Sequence, residues 1–392
     1  MKTDCADRLD FEAYRIKTDQ LLTPALVIYP AKVRHNIRRM ITLLGGEPAR
    51  WRPHLKTVKL GAMIRLLTDA HVTSAKVATT LELLTACESG MQDVLVAYPH
   101  SGRNTDRITA IAASFPGVRV SAIVESREQI QSWLNSKVDL FIDINPGMNR
   151  TGMKQDRPKE VAVLAGEIQG AGLVFRGLHF YDGHATEPEL QERCERAHKR
   201  YEGLLELNAA IEAQGIRIEE VIVSGTPSVP CAISYAGLWN ASFSCQVSPG
   251  TVVYNDVSSL AQLPGEYGFE PAVLVISRVV SHPKPGIVTC DAGHKSVSVD
   301  GGVPSCVPLG ASGLQPLKPS EEHLPIEVAA GSGAPAIGTV LYLLPRHVCP
   351  TVNNFDFAAM AAEGEIVSVE PVTARGREGP LLSAPSGEVV RC

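Results

Sequence analysis

Along the first two thirds of the chain, short aliphatic and β-branched runs alternate with longer stretches whose apolar positions recur every three to four residues. ALVIY is followed by VRHNIRRMITLLG, KVATT by LELLTACESG, DVLVAY by DRITAIAASF, and RVSAIV by REQIQSWL. The rhythm continues with DLFIDI before PKEVAVLAGEIQGAG, FRGLHFY before a helical stretch from about Glu187 to Gln214, then EEVIVSG and SCQVSPGTVVYND. A short run buried on both faces, then an amphipathic helix, is the repeating unit of a parallel sheet. Eight or nine such units predict a closed (β/α)8 TIM-type barrel over residues 21–265. An open doubly wound sheet is the alternative, and the absence of a GxGxxG after the first run weighs against it. ALVIY is read here as the first barrel strand.

After Gly265 the period changes to two. AVLVISRVVSH, GIVTCDAGHKSVSV, PIEVAAG, TVLYLLPR, GEIVSVEPVTARG and GEVVR alternate between Gly and Pro turns. They predict a smaller all-β domain over 266–392, joined by residues 1–20. The proline-rich segment Val303 to Pro325 reads as a surface excursion.

Composition narrows the class. The formal net charge is −5, with no basic tract and no basic–aromatic interleaving, which argues against a nucleic-acid partner. No apolar run reaches the roughly 18 residues of a membrane helix. The charged start MKTDCADRLD does not read as a secretory signal. The nine cysteines lack CxxC spacing and are odd in number, so reduced thiols in the cytoplasm are expected.

A parallel barrel carries its chemistry at the C-terminal ends of its strands. Read in order, those ends bring Lys56, Tyr98, Glu125, the segment 145–150 with Arg150, HFYDGH with His179, Tyr181 and His184, and two small-residue loops. SGTPS contains Ser224, Gly225 and Thr226; SPGT contains Ser248, Gly250 and Thr251. Such loops offer backbone N–H groups and hydroxyls to a phosphate, although each alone is also ordinary turn chemistry. A lysine facing two of them suggests pyridoxal 5'-phosphate, with the amine forming the Schiff base and the phosphate anchoring the ring. His54 shares the face of Lys56 and either supports it or simply packs. In RHVCPTVN, His347 and Cys349 are two apart on a segment read as extended, so imidazole and thiolate could share one ion; a packed strand end is the plainer reading. Softness favours zinc for such a pair, manganese preferring carboxylate.

RPHLKT, FIDINPGMNRTGM, HFYDGH, SPGTVVYND and RHVCPTVN together resemble the D-threonine aldolase and D-serine dehydratase family, pyridoxal-phosphate enzymes with the alanine-racemase type of barrel. The likeness runs from about Leu22 to Arg377. It implies that Lys56 is the Schiff-base lysine, that Arg150 bonds the cofactor's phenolic oxygen, and that Gly225, Thr226, Gly250 and Thr251 hold the phosphate. Tyr181, Ser224, Ser248 and Tyr254 are counted with the cofactor-binding group. It also implies a divalent metal, Zn or Mn, on His347 and Cys349. A small-molecule D-3-hydroxy amino acid substrate and a homodimer follow from it too. Two positions depart from the pattern: Val58 stands where many relatives have histidine, and Ser248 where alanine racemases have arginine. The implied reaction is retro-aldol cleavage to glycine and an aldehyde, with His179 or His184 as base for the hydroxyl. β-Elimination to a 2-oxo acid and ammonia is the alternative. A racemase, or a non-catalytic cofactor carrier, is less favoured. A racemase would need a second base, for which Tyr342 is the candidate.

Overall fold

A computed structural model describes residues 9–381, so the expected strand in GEVVR lies outside the described residues. The chain does not begin in the barrel. Its first strand, β1 (Ala25–Ile28), pairs antiparallel with β10 (Val273–Lys284) and parallel with β16 (Phe357–Ala362) of the second sheet. The reading of ALVIY as a barrel strand is therefore corrected. The cause is its composition. Leu26 and Ile28 pack into the large core shared with the barrel, while Val27 joins Tyr14, Leu274 and Ile276 on the opposite face. A run apolar on both faces suits either sheet, and periodicity cannot choose between them.

The barrel proper is built from β2 (Ser74–Val77), β3 (Asp93–Val96), β4 (Arg119–Val124), β5 (Asp139–Asn145), β7 (Phe175–Phe180), β8 (Glu220–Val223) and β9 (Ser244–Val247), all parallel; the two-residue β6 (Met153–Lys154) hangs off β5. The ring closes through residues 51–55, which lack regular strand pairing. Trp51 bridges Val247 of β9 and His54 bridges Lys76 of β2, both in parallel sense. RPHLK is thus the eighth stave. It is reached from β1 through the helix Pro30–Leu43, which starts on a proline and buries Val33, Ile37 and Met40 at helical spacing.

Alternation along each stave sorts side chains into an outer set against the helices and an inner set in layers. The lowest inner layer is ionic. Arg52 contacts Asp93 at 2.9 Å and Glu220 at 3.2 Å, and Arg176 contacts Asp93 and Glu220 each at 2.7 Å. Above it Leu95, Ile123, Phe141 and Ile222 form a small apolar plug. Above that come His54, Lys76, Asp143 and His179, and then the mouth.

The second sheet runs β13 (Leu314–Pro316), β14 (Leu324–Val328), β11 (Ile287–Cys290), β10, β1, β16 and β17 (Glu365–Pro371); β15 (Val340–Pro345) lies beside β10 and β12 (Cys306–Pro308) beside β15. The segment 303–325 is therefore part of the sheet and not a surface excursion: it supplies β12 and β13 and buries Ser305, Cys306 and Leu309. Pro308 and Pro316 close β12 and β13, positions where a missing N–H is tolerated. Tyr342 is fixed within this domain, its hydroxyl 3.2 Å from both the amide nitrogen and the carbonyl oxygen of Ile16.

Candidate active site

Lys56 ends the closing stave. That stave is held along its length, by Arg52 N–H to the Val247 carbonyl (2.9 Å), Leu55 N–H to the Lys76 carbonyl (2.8 Å), and the Tyr254 hydroxyl to the Val58 carbonyl (2.8 Å). Half-buried, Lys56 lines a cavity of about 270 Å³ at the barrel mouth. Lys59, three residues on, faces away. Its Nζ lies 2.8 Å from Glu82 Oε1 and donates to the Ala374 carbonyl. Glu82 in turn belongs to a reciprocal helix cap, accepting from Ala78 N while Thr79 Oγ1 accepts from Glu82 N. One lysine is committed to the fold; the other faces the cavity.

Across the cavity from Lys56 stand Gly225, Thr226, Ser248, Gly250 and Thr251. A Cβ on Gly250 would come within 2.5 Å of the His54 carbonyl oxygen, so only glycine lets this loop lie against the lysine stave. The buried hydroxyls of Ser224 and Ser248 have no hydrogen-bond partner. An unsatisfied buried hydroxyl costs about 1–3 kcal/mol, which a ligand bonding it would recover. Gly225 N–H donates to Ser228 Oγ, whose own hydroxyl donates to the buried Asp182. Burial pushes the Asp182 carboxyl above its ordinary range, against the pull of Ser228 and Tyr201. The Ser248 hydroxyl, the glycine loops and the lysine fit pyridoxal phosphate, whereas Ser224 is fully buried and does not line the cavity. Tyr254 does not line the cavity; it is fully buried and bonds the lysine loop from behind.

Tyr181 divides the mouth. Its ring centroid is 5.9 Å from Lys56 Nζ and 5.1 Å from Arg150 Cζ. On its far side a cleft of about 20 Å³ is lined by Asp143, Arg150 and His179 among others. Of the expected bases, His179 has both ring nitrogens engaged: Nδ1 is 2.6 Å from Asp143 Oδ1 and Nε2 is 3.2 Å from Lys76 Nζ. Burial and the Lys76 charge lower its pKa, so it is neutral, with the proton on Nδ1 toward the carboxylate. His184 is half-buried and does not line the main cavity. Burial and then Arg200 lower its pKa as well. Neither histidine is placed as expected. His54 does line the cavity, held neutral by burial and by the Lys56 charge. Its Nδ1 accepts from the Lys56 amide at 3.3 Å, leaving the proton on Nε2.

His347 and Cys349 also line this cavity. The expected extended segment is in fact a helix start: β15 ends at Pro345 and His347 caps the short helix Val348–Val352. Cys349 Sγ lies 3.0 Å from Thr57 Oγ1 and 3.7 Å from Thr251 Oγ1, which docks the second domain onto both the lysine stave and a glycine loop. His347 Nδ1 is 3.0 Å from each carboxylate oxygen of Asp300. A carboxylate on one ring nitrogen fixes the tautomer and frees the other nitrogen for a ligand, the arrangement typical of metal-binding histidine. Burial opposes the charged forms, yet mutual interaction raises His347 to about 9 and lowers Cys349. Among the described residues no group of three His, Cys, Asp or Glu forms a complete cage. Two ligands of this kind fit a divalent ion that keeps open positions. Sequence reading missed Asp300, 47 residues from His347, and Lys76, hidden in an ordinary strand run.

A parallel barrel with a mouth-facing lysine opposite two glycine loops, closed over by a β domain, is the architecture of an alanine-racemase-type pyridoxal-phosphate enzyme. The chain belongs to the family of the alanine racemase N-terminal domain, whose model matches residues 28–257. A second model, for a putative serine dehydratase domain, matches residues 272–361. The chain is 26% identical over 377 residues to a D-threonine aldolase of Arthrobacter sp., covering 90% of this chain and 93% of that one. It is 25% identical to a 3-hydroxy-D-aspartate aldolase of Paracoccus denitrificans, covering 94% and 99%. The crystal structure of D-threonine aldolase from Filomicrobium marinum matches with a TM-score of 0.82 at 27% identity, over 92% of this chain and 98% of that one. D-threo-3-hydroxyaspartate dehydratase from Delftia sp. HT23 shares the fold, with a TM-score of 0.76 at 23% identity over 91% and 98%.

Proposed function

We propose that the protein is a pyridoxal-phosphate- and divalent-metal-dependent lyase that cleaves a D-3-hydroxy amino acid by a retro-aldol reaction, giving glycine and an aldehyde. The observation that carries this reading is that Lys56 shares one cavity with His347 and Cys349, so an amine and a metal-type ligand pair act on the same small molecule. Bound pyridoxal phosphate supplies an electron sink for charge at Cα, and a divalent ion supplies Lewis acidity at the substrate's hydroxyl. The chain supplies the rest. Lys56 anchors the cofactor and, once released as the free amine, would take up the proton that the substrate's hydroxyl loses and deliver it to Cα in place of the broken Cα–Cβ bond, working from one face of the substrate. Gly225, Thr226, Gly250 and Thr251 bind the phosphate. Asp300 orients His347. His54, neutral and tied to the Lys56 amide, keeps a second positive charge away from the amine. His179 does not serve as base, because both its nitrogens are engaged.

Dehydration to a 2-oxo acid and ammonia is the second reading, favoured by Cys349. A thiolate suits zinc better than manganese. The purified protein is incubated with D-threonine and D-serine, with and without chelator, and glycine, aldehyde and ammonia are assayed separately. Glycine with aldehyde supports the aldolase; ammonia without glycine supports the dehydratase. Equal turnover of L-threonine, or racemisation of alanine as the main activity, overturns both.

A further inference from the structure

The barrel holds a second interior amine close to the ring that divides the mouth. Lys76 is 1% exposed and lies on β2. Its backbone is bonded to the lysine stave in both directions, through Lys76 N–H to Pro53 O and Leu55 N–H to Lys76 O. Its Nζ donates to His179 Nε2 and stands 5.3 Å from the centroid of the Tyr181 ring, comparable to the 5.9 Å of Lys56. Behind it runs a continuous chain: His179 Nδ1 to Asp143 Oδ1 at 2.6 Å, and Thr151 Oγ1 to Asp143 Oδ2 at 2.7 Å. A buried ammonium is normally paired directly with a carboxylate. Here the carboxylate is one imidazole away, so the charge is only partly compensated.

We propose that Lys76 is a positioning residue of the site, which through His179 and the face of Tyr181 fixes how these two rings meet the cofactor; the inference rests on the pyridoxal-phosphate reading above. A purely structural lysine would sit in an ion pair, as Lys59 does with Glu82. Lys76 instead ends a relay in which one proton can be shared. An ammonium at Lys76 leaves His179 neutral with its proton toward Asp143, and moving a proton from Lys76 to His179 leaves a free amine and an imidazolium–carboxylate pair. Burial and the Lys56 charge bring Lys76 down to about 7, with Asp143 and Asp182 pulling up and Arg52 pulling down.

The test compares wild type with Lys76→Met, which keeps the stem, and Lys76→Arg, which keeps a permanent charge. In the holoenzyme, absorbance of the bound cofactor should shift with pH at a midpoint well below the ordinary lysine range, because Lys76 is buried, and the shift should vanish in both variants. The kcat of Lys76→Met should fall roughly 10- to 100-fold with little change in KM, as when a supporting hydrogen bond to a functional group is lost, and Lys76→Arg should recover part of it. A midpoint that persists unchanged in both variants overturns the proposal. The cofactor-free protein gives an independent arm: in spectra of 15N-labelled histidine, the His179 nitrogens should move in Lys76→Met, and unmoved shifts overturn the proposal whatever the cofactor does. Protein that takes up no pyridoxal phosphate overturns the functional reading, and the histidine spectra then decide the role of Lys76 on their own.

Discussion

The two ends of the barrel handle polar groups in opposite ways. At the bottom, Arg52 and Arg176 are buried against Asp93 and Glu220, two charges of each sign within hydrogen-bonding distance. At the mouth, Ser224 and Ser248 are equally buried, yet their hydroxyls have no partner. Both ends cost desolvation. The bottom recovers most of that cost within the chain, although the Arg176 Nε has no partner. Groups that satisfy one another hold the barrel closed, while the Ser248 hydroxyl, left unsatisfied on the cavity wall, offers a partner to a ligand there. Lys59 and Lys56 repeat the contrast across three residues of one loop.

The sharpest way to break this comparison is at its reactive end. Lys56→Ala should abolish the yellow colour of the holoenzyme and lower turnover more than about 10³-fold, since a lost nucleophile is not replaced by its neighbours. Borohydride reduction should label Lys56 and leave Lys59 unmodified; labelling at Lys59 would sink the site assignment. The opposite end should respond in stability, not in chemistry. Arg176→Met leaves Asp93 and Glu220 facing one cation, and it should cost about 3–5 kcal/mol in denaturant unfolding while the folded fraction keeps its kcat. A stable variant with lost activity would mean that the bottom layer belongs to the site.

Intermediate effects are expected where the second domain reaches the mouth. His347→Ala or Cys349→Ala should keep the bound cofactor and lower turnover by about 10- to 100-fold or more, mimicked by chelation of wild type. Asp300→Asn should weaken metal affinity by about 10-fold, measured by titration of the metal alone, because the imidazole loses its carboxylate partner. Full metal binding in Cys349→Ala would move the ion elsewhere.

The effects of pH run oppositely at the two levels. Burial alone would raise Asp93, but Arg176 and Arg52 hold its carboxyl well below the ordinary 3.8. Its stabilisation is present above that pH and should be lost as pH falls below it. Lys76 is lowered from 10.5 to about 7, so the unfolded chain binds more protons between those values. Its destabilisation is full below about 7 and should be relieved as pH rises toward 10.5. Stability curves of Asp93→Asn and Lys76→Met against wild type should diverge in those two windows and nowhere else.

How much of this was legible in the sequence follows from the same physics. Lys56 and the two glycine loops could be found because strand alternation and strand-end position suffice to place them. The pair His347 and Cys349 was visible as spacing, though its helix start was not, since an N-terminal turn and an extended segment bring ligands two apart together equally well. Asp300 and Lys76 were hidden because their meaning lies in partners far along the chain. The stave 51–55 was recognisable by its lysine and not by its backbone, which forms bridges in place of a regular ladder. His179 was read as a base from residue type alone. Only the positions of Asp143 and Lys76 reveal that its nitrogens are already committed.

The placement of β1 between β10 and β16 ties the beginning of the chain to its end. A ribosome delivers Ala25–Ile28 more than two hundred residues before β10 and more than three hundred before β16, so the central strand of the second sheet must wait for its neighbours. Cutting the chain at the barrel boundary does not yield two self-sufficient halves. A fragment starting at residue 266 carries an open slot flanked by two unpaired edges, the kind of surface that recruits stray strands. The same slot is a point of repair. A peptide spanning residues 9–29 carries β1 together with Tyr14 and Ile16, which pack on the same face as Val27, and it has the right hydrogen-bonding edges to be captured in trans. The two domains are thus linked through the four-residue strand β1 and the residues Tyr14 and Ile16 that pack beside it.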